Sequence, residues 1–144
     1  MNKEGLTFKL LTIDYLDEIA FFGKQLNPKL TLNEVKEYQK QMFELPTYFC
    51  FGLFIEEKLI GISSGWITIR LYSGKQLEVD NVTIDKDIQS KGYGKKFFNF
   101  IEVWAKQNNC KTIELNTYVE NSRSHKFYFN LGYSILGFHF WKQL

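Results

Sequence analysis

The sequence predicts an α/β domain of the α+β kind, in which a mixed, mostly antiparallel central sheet of about seven strands carries helices on both faces. The chain has 144 residues and 17% of them are aromatic, which is enough bulky apolar material for one core. Strand-like runs dominate residues 48–84, and helical and strand periods alternate elsewhere. No linker-like stretch or internal repeat divides the chain, so residues 1–144 are predicted to form a single domain.

The first half of the chain is predicted to form one strand, two helices and a hairpin. Asp14 is expected to cap the first helix, and Thr31 or Asn33 the second, which stops before Pro46. Glu56, Glu57 and Lys58 make a polar turn between two apolar runs, which is typical of a hairpin. The predicted bounds are Thr7–Thr12, Tyr48–Ile55 and Leu59–Leu71 for the strands, and Asp14–Leu26 and Thr31–Glu44 for the helices.

The second half continues the sheet and adds two helices. A turn at Ser73–Lys75 separates the third strand from the fourth. Helices and strands then alternate, which gives a mixed sheet covered by helices. The predicted strands are Gln76–Ile84, Thr112–Thr117, Tyr133–Leu136 and His139–Trp141, and the predicted helices are Gly94–Gln107 and Ser122–Asn130.

The fourth strand changes the phase of its apolar residues. Leu77 and Val79 place the apolar face on odd positions, whereas Val82 and Ile84 place it on even ones. One extra residue reconciles the two halves, so the pattern predicts a β-bulge near Asp80. If the strand is instead buried on both faces, the change of phase carries no meaning.

A glycine loop follows this strand and leads into a core-facing helix. The helix carries Phe97, Ile101 and Trp104 at i, i+4 and i+7 spacing. Gly92 and Gly94 stand at its start, where backbone N–H groups and the positive end of the helix dipole form an anion site. Lysines at 86, 91, 95 and 96 crowd the same loop although the net charge is only +2, so we expect an anion to bind here. The alternative is a solvated basic face.

Two sequence blocks resemble those of the GNAT superfamily of acetyl-CoA-dependent N-acetyltransferases. The R/Q-x-x-G-x-G/A signature is met by Gln89, Gly92 and Gly94. The second block is met by Asn121, Ser124, Phe127–Tyr128 and Gly132–Tyr133. Ser124 stands where Ala is commoner in the family and Tyr133 where Phe is. The order of the predicted elements is also that of the family.

The resemblance implies acetyl-CoA as cosubstrate and a role for each matching residue. The loop amides would hold the CoA pyrophosphate, and the backbone of the fourth strand would pair with the pantetheine arm. Tyr128 would point at the thioester sulfur. The implied cofactor-binding residues are Val82, Thr83, Ile84, Gln89, Ser90, Lys91, Gly92, Tyr93, Gly94, Lys95, Asn121, Ser124 and Phe127, with Arg123 and Lys126 near the adenosine phosphates.

Transfer of an acetyl group to an amine requires three chemical functions. A carboxylate serves as general base for the amine, and Glu78 and Asp80 are equal candidates. Backbone N–H groups freed by the bulge would stabilise the thioester oxygen. Tyr128 would protonate the leaving thiolate as general acid. Neither cysteine has a base partner, so direct attack without a covalent intermediate is expected.

The acceptor amine is expected to meet the first two helices. Those helices carry Phe21, Phe22, Tyr38 and Phe43, most of which we assign to the core. Trp66 and Arg70 on the third strand are expected to bound the groove. The acceptor itself is a small-molecule amine or a peptide amine: a metabolite, an antibiotic, a polyamine or a protein terminus.

Other features of the sequence exclude further classes of function. Neither Cys50 nor Cys110 has a second Cys or His at the spacing of metal ligands. Both are expected to be reduced structural thiols, with no metal site. His125 and His139 are expected to be structural. No secretory leader or membrane-length apolar run is apparent, so we expect a cytoplasmic monomer or homodimer. The low net charge disfavours a nucleic-acid-binding domain, whereas a non-catalytic acyl-CoA-binding or regulatory module stays open as an alternative.

Overall fold

The structure is a computed structural model that describes residues 5–144. Its strands are Leu6–Leu11 (β1), Tyr48–Ile55 (β2), Lys58–Arg70 (β3), Gly74–Ile84 (β4) and Thr112–Leu115 (β5). Its helices are Leu16–Leu26 (α1), Leu32–Phe43 (α2), Tyr93–Gln107 (α3) and Ser122–Asn130 (α4), with short 3-10 turns at Ile13–Tyr15 and Lys86–Ile88. The strands form one sheet in the order β1-β2-β3-β4-β5, and the β1–β2, β2–β3 and β3–β4 pairs are antiparallel.

The chain divides into two compact units, the first ending at Glu114 and the second covering Leu115–Leu144. The first unit contains β1 to β4 and α1 to α3, and the second contains α4. None of the helices that the structure describes is long and apolar enough to cross a membrane.

The starts of the first two helices are fixed by local hydrogen bonds. The predicted Asp14 cap is wrong: the Asp14 amide itself donates to the Thr12 hydroxyl (3.3 Å) within the 3-10 turn, and α1 begins only at Leu16. For α2, Thr31 is the cap, because its hydroxyl accepts from the Glu34 amide (3.2 Å) while the Glu34 carboxylate accepts from the Thr31 amide (2.7 Å). This reciprocal pair satisfies two N–H groups that a helix start otherwise leaves open.

Helices cover both faces of the sheet, as predicted. Neighbouring residues of β2 point to opposite faces, since strand side chains alternate. Phe49 and Phe51 contact Trp104 of α3, with ring centroids 4.8 and 5.0 Å apart. Tyr48 and Cys50 belong instead to a core cluster that is shared with α1. The members of that cluster are Leu11, Ile19, Phe22, Tyr48, Cys50, Phe54 and Ile62.

The predicted bulge in β4 is confirmed. Asp80 pairs with Ser64 and Thr83 pairs with Ile62, so two residues of β4 lie opposite Ser63 alone. Asn81, inside the bulge, has a positive φ of 53°. Because the extra residue restores the phase, the apolar residues before and after it share the face that α3 covers, which is why their sequence parity changes.

The prediction of about seven strands is wrong, because the described residues form five. Tyr133–Leu136 and His139–Trp141 were the two expected closing strands, and no strand occurs in residues 133–144. The apolar side chains of residues 135–141 are exposed, Phe138 and Phe140 by 90% each. The predicted strands are only four and three residues long, and Gly137 between them weakens a strand, so apolar content alone did not specify pairing here.

Candidate active site

The bulge in β4 orients two polar residues and a set of backbone groups. The Asp80 carboxylate accepts a hydrogen bond from the Asn81 amide (2.8 Å). The Asn81 side-chain nitrogen donates to the Ser64 hydroxyl (3.3 Å) on the neighbouring strand. These two bonds hold a residue with positive φ in place, a backbone conformation that Asn adopts more readily than most residues.

A buried chain of side-chain hydrogen bonds continues from Ser64 to α2. The Tyr48 hydroxyl lies 3.0 Å from the Ser64 oxygen and donates to the Gln39 carbonyl oxygen (3.3 Å). Gln39, Tyr48 and Ser64 are all buried. Burial, followed by the nearby Cys50 thiol, raises the pKa of Tyr48 far above its usual value, so this hydroxyl stays protonated. The chain thus ties α2 to the bulge.

The two carboxylates proposed as general base have different surroundings. Glu78 and Asp80 pair with Trp66 and Ser64 of β3, and paired residues share a face, here the one covered by α1 and α2. The Glu78 carboxylate lies 3.7 Å from the Arg70 guanidinium. Asp80 lines a cavity instead, while Glu78 does not.

This cavity has a volume of about 410 Å³, within the usual range for small-molecule sites. Residues of α1, α2, the segments that follow them, and the bulge line it: Gly23, Asn27, Leu30, Val35, Tyr38, Gln39, Gln41, Met42, Leu45, Asp80 and Asn81. The helices approach closely because α1 carries a glycine where a Cβ atom would lie 2.8 Å from the Val35 side chain.

The residues predicted to form the acceptor side are distributed among the cavity, the core and the exposed surface. Tyr38 lines the cavity. Phe22 and Phe43 are core residues, whereas Phe21 is 58% exposed on α1. Trp66 packs on Tyr48 with ring centroids 4.7 Å apart, and neither Trp66 nor Arg70 is among the cavity-lining residues.

The glycine loop is built from backbone conformation and one side-chain bond. Gln89 donates from its side-chain nitrogen to the carbonyl of Ile84 (2.9 Å), which ties the loop to the end of β4. Ser90 and Gly92 have positive φ values of 67° and 79°. Gly92 is the N-cap of α3, and no side chain caps this helix.

The first turn of α3 therefore presents backbone N–H groups and cations without a capping carboxylate. Its first turn contains no acidic residue. Gly92 is exposed, and a Cβ atom on it would meet nothing within 4 Å, so the space on this side of the N-cap is open. Lys91 and Lys95 are exposed beside it, and the Lys96 ammonium lies 6.0 Å from the centre of the Tyr93 ring. This arrangement suits an anionic ligand.

The second motif block forms the start of α4 within its own unit. Asn121 is the N-cap and accepts from the Ser124 amide (3.2 Å). The Tyr128 ring packs edge-on against the rings of Phe127 and Tyr133, with ring centroids 5.2 and 5.7 Å apart. The Tyr133 amide donates to the Tyr128 carbonyl (3.0 Å), which closes the helix before the chain continues. The second motif block thus corresponds to a helix whose start and end are both fixed by hydrogen bonds.

The remaining candidate ligands have local structural partners or are exposed. The His125 ring nitrogen lies 2.9 Å from the Tyr118 carbonyl oxygen, and His139 is exposed. Both cysteines are free, and burial raises the pKa of Cys50 to about 12. In residues 5–144 no three His, Cys, Asp or Glu side chains come together as a metal site.

Sequence reasoning missed the residues that connect the acceptor helices to the bulge. Gln39 lies at i+4 from Val35, in the apolar stripe of α2, where an amide is unusual. Ser64 interrupts an apolar strand. Polar residues at core positions usually have buried hydrogen-bond partners, and that signal could have identified both, though not their shared partner Tyr48.

Comparisons with known proteins agree with this fold. Residues 15–133 match the model of the acetyltransferase (GNAT) family. The chain is 19% identical over 119 residues to the uncharacterised N-acetyltransferase YhdJ of Bacillus subtilis (strain 168), covering 82% of this chain and 84% of that protein.

Two solved structures share the architecture. A GNAT family acetyltransferase of Staphylococcus aureus subsp. aureus USA300_TCH1516 is 24% identical, with a TM-score of 0.79 over 97% of this chain and 99% of that one. The aminoglycoside acetyltransferase AAC(6')-Iy, in complex with the bisubstrate analogue CoA-S-monomethyl-acetylneamine, is 15% identical, with a TM-score of 0.84 over 96% and 98%. With the family match extending over most of its length, this chain belongs to the GNAT family of acetyltransferases.

Proposed function

We propose that this protein transfers an acetyl group from acetyl-CoA to a primary amine by direct attack in a ternary complex. The observation that carries the proposal is the bulge in β4, because it presents a carboxylate to a cavity of small-molecule size just before the strand leads into an open, uncapped helix start. The family match over residues 15–133 supports reading 1–144 as one acetyltransferase domain.

The glycine loop would hold the pyrophosphate of acetyl-CoA. The open space at Gly92 and the absence of a capping side chain leave room for phosphate oxygens at the N-terminus of α3. Lys91 and Lys95 would add charge attraction. The half-buried strand segment at Val82 to Ile84 would pair with the pantetheine arm, and Asn121, Ser124 and Phe127 are the further contacts that the second motif block implies.

Asp80 is the preferred general base, because it lines the cavity, whereas Glu78 is paired with Arg70. A neutral amine is required for attack on the thioester carbon, so Asp80 would remove the proton of the ammonium directly or through water. Backbone N–H groups at the bulge would donate to the developing oxyanion. Tyr128 would then donate its proton to the thiolate that leaves as CoA.

The acceptor would occupy the cavity between α1, α2 and the bulge. AAC(6')-Iy and a second structural neighbour, meta-AAC0020 with bound sisomicin, are aminoglycoside acetyltransferases. Because these proteins share the fold at only 14–15% identity, the aminoglycosides are one class of amine to test among others.

The direct experiment measures thiol release from acetyl-CoA with a panel of primary amines. Replacement Tyr128→Phe should lower kcat by about 10²- to 10⁴-fold, the usual contribution of a general acid, with the Kd for acetyl-CoA unchanged. Tyr133→Phe is the matched control, since this ring packs on Tyr128 in the same unit, and its kcat should stay near that of the parent protein. Acetyl-CoA binding with no thiol release from any amine would identify a non-catalytic acyl-CoA-binding module instead.

A further inference from the structure

The cavity between α1, α2 and the bulge has an unusual charge content for a site that accepts polyamines or aminoglycosides. Asp80 is the one charged side chain among the described residues that line it. A bound polycation needs several carboxylates, because each buried ammonium without a partner loses its hydration uncompensated. One carboxylate can neutralise one ammonium.

Three carboxylates on α1 and α2 are engaged elsewhere. The Asp17 carboxylate lies 2.8 Å from the Lys36 ammonium, which lowers the pKa of that carboxyl. Glu34 caps its own helix. The Glu37 carboxylate pairs with Lys40 at 2.9 Å. These acids serve the exposed helix faces, so they do not add negative charge to the cavity wall.

Most of the wall opposite this single charge is apolar. Leu30, Val35, Met42 and Leu45 contribute aliphatic surface, and Tyr38 contributes an aromatic ring. Such a surface favours an apolar substrate body and penalises a second ammonium or a dense set of hydroxyls that it cannot hydrogen-bond.

The polar side chains in the wall are largely bonded to the protein itself. The Asn27 side-chain nitrogen donates to the Gly23 carbonyl (3.1 Å). Gln39 accepts from Tyr48, and Asn81 donates to Ser64. An Asp80 oxygen accepts from the Asn81 amide. Each of these three amides therefore has one atom bonded to the protein, which fixes the orientation of the side chain in the wall.

We propose that the acceptor is an amine with a single positive charge and an apolar body, held by Asp80 against the aliphatic wall. This inference rests on the proposed function in placing the acceptor in this cavity. It separates the chain from its structural neighbours that act on aminoglycosides, because the cavity carries one charge where a polycation requires several.

The test compares two amines with the same six-carbon chain, hexylamine and 1,6-diaminohexane. Kanamycin serves as the polycation. Calorimetry on the full chain with CoA present should give a Kd for hexylamine at least about tenfold below that for the diamine, because the apolar wall leaves the second ammonium unpaired. Thiol release should follow the same order, with kanamycin the poorest acceptor. Asp80→Asn should weaken hexylamine binding.

A variant that adds a carboxylate to the cavity wall tests whether charge controls the preference for the monoamine. Leu45→Glu places a second carboxylate in the wall at a half-exposed position, so it should narrow or reverse the preference for the monoamine. Leu32→Glu, at a similarly exposed position on α2 but outside the cavity, should leave this preference unchanged.

The possible outcomes separate this inference from the proposed function. Selective hexylamine binding without thiol release would support the inference and contradict the acetyltransferase activity. Efficient acetylation of kanamycin in preference to hexylamine would confirm the activity and overturn the inference. Failure of hexylamine to bind, or equal binding of both aliphatic amines, would also overturn it.

Discussion

The bulge in β4 and the glycine loop that follows this strand are stabilised in different ways. At the bulge, side chains that are distant in sequence form a buried chain from Asn81 through Ser64 and Tyr48 to Gln39. At the glycine loop, backbone conformation at Ser90 and Gly92 shapes an exposed turn that no side chain caps. A bulge supported from within suits precise placement of reacting groups, whereas an open turn suits a ligand that arrives with its own charge.

The largest expected effect lies at the bulge and separates its two carboxylates. Asp80→Asn should lower kcat/KM for the amine by about 10²- to 10⁴-fold, because a general base is lost, while the Kd for acetyl-CoA stays constant. Steady-state kinetics of thiol release measure the first quantity and calorimetry the second. Glu78→Gln is the control and should have a much smaller effect, since this carboxylate pairs with Arg70. A larger loss in Glu78→Gln than in Asp80→Asn would reverse the assignment of the base.

Removal of the central hydroxyl tests whether the buried chain stabilises the fold. Tyr48→Phe leaves the buried Ser64 and Gln39 oxygens without this partner, and should cost about 1–3 kcal/mol in the free energy of unfolding. Urea denaturation followed by tryptophan fluorescence measures it. Tyr72→Phe removes an exposed hydroxyl bonded to Glu114 (2.7 Å) and should cost less than about 0.5 kcal/mol. Equal costs in the two variants would contradict the role given to the chain.

A substitution at the loop should affect the cofactor more than the amine. Gly92→Ala forces a residue with a Cβ into a φ of +79°, at a cost of about 1–2 kcal/mol, although the surrounding space is open. The KM for acetyl-CoA should rise while the KM for the amine changes little. Gly74→Ala imposes a similar strain at φ +72° away from the loop, so it should lower the melting temperature comparably and leave both KM values unchanged.

The last expected effect is a loss of stability on the bulge side that occurs only in alkali, and so is absent at neutral pH. Burial raises the pKa of Cys50 from 9.0 to about 12, so between pH 9 and 12 the unfolded chain releases a proton that the folded chain keeps. The stabilisation is complete below pH 9 and falls by at most about 1.4 kcal/mol per pH unit above it. Cys50→Ser should make this decline shallower in urea titrations at several pH values. Cys110→Ser, at a less buried thiol, should alter the slope less.

The same contrast explains what could be predicted from the sequence. The loop and the bulge were predicted because each depends on nearby residues: two glycines in one case, and the parity change between Val79 and Val82 in the other. The buried chain was not, because Tyr48 meets partners 9 and 16 residues away and only the folded sheet brings them together. The prediction of two closing strands was wrong for a related reason, since a strand requires a neighbouring strand to pair with and an apolar run does not specify one.

The register of the bulge also makes β4 intolerant of changes in length. Side chains of a strand alternate strictly, so loss of the extra residue at Asn81 would turn everything after it to the opposite face. Val82 and Ile84 would leave the side that α3 covers, and Gln89 could no longer tie the loop to the Ile84 carbonyl in the same way. Loops elsewhere can lengthen or shorten, but the spacing from Asp80 to Gly92 sets the distance between the proposed general base and the proposed phosphate site. The length of β4 therefore fixes how far apart these two groups lie.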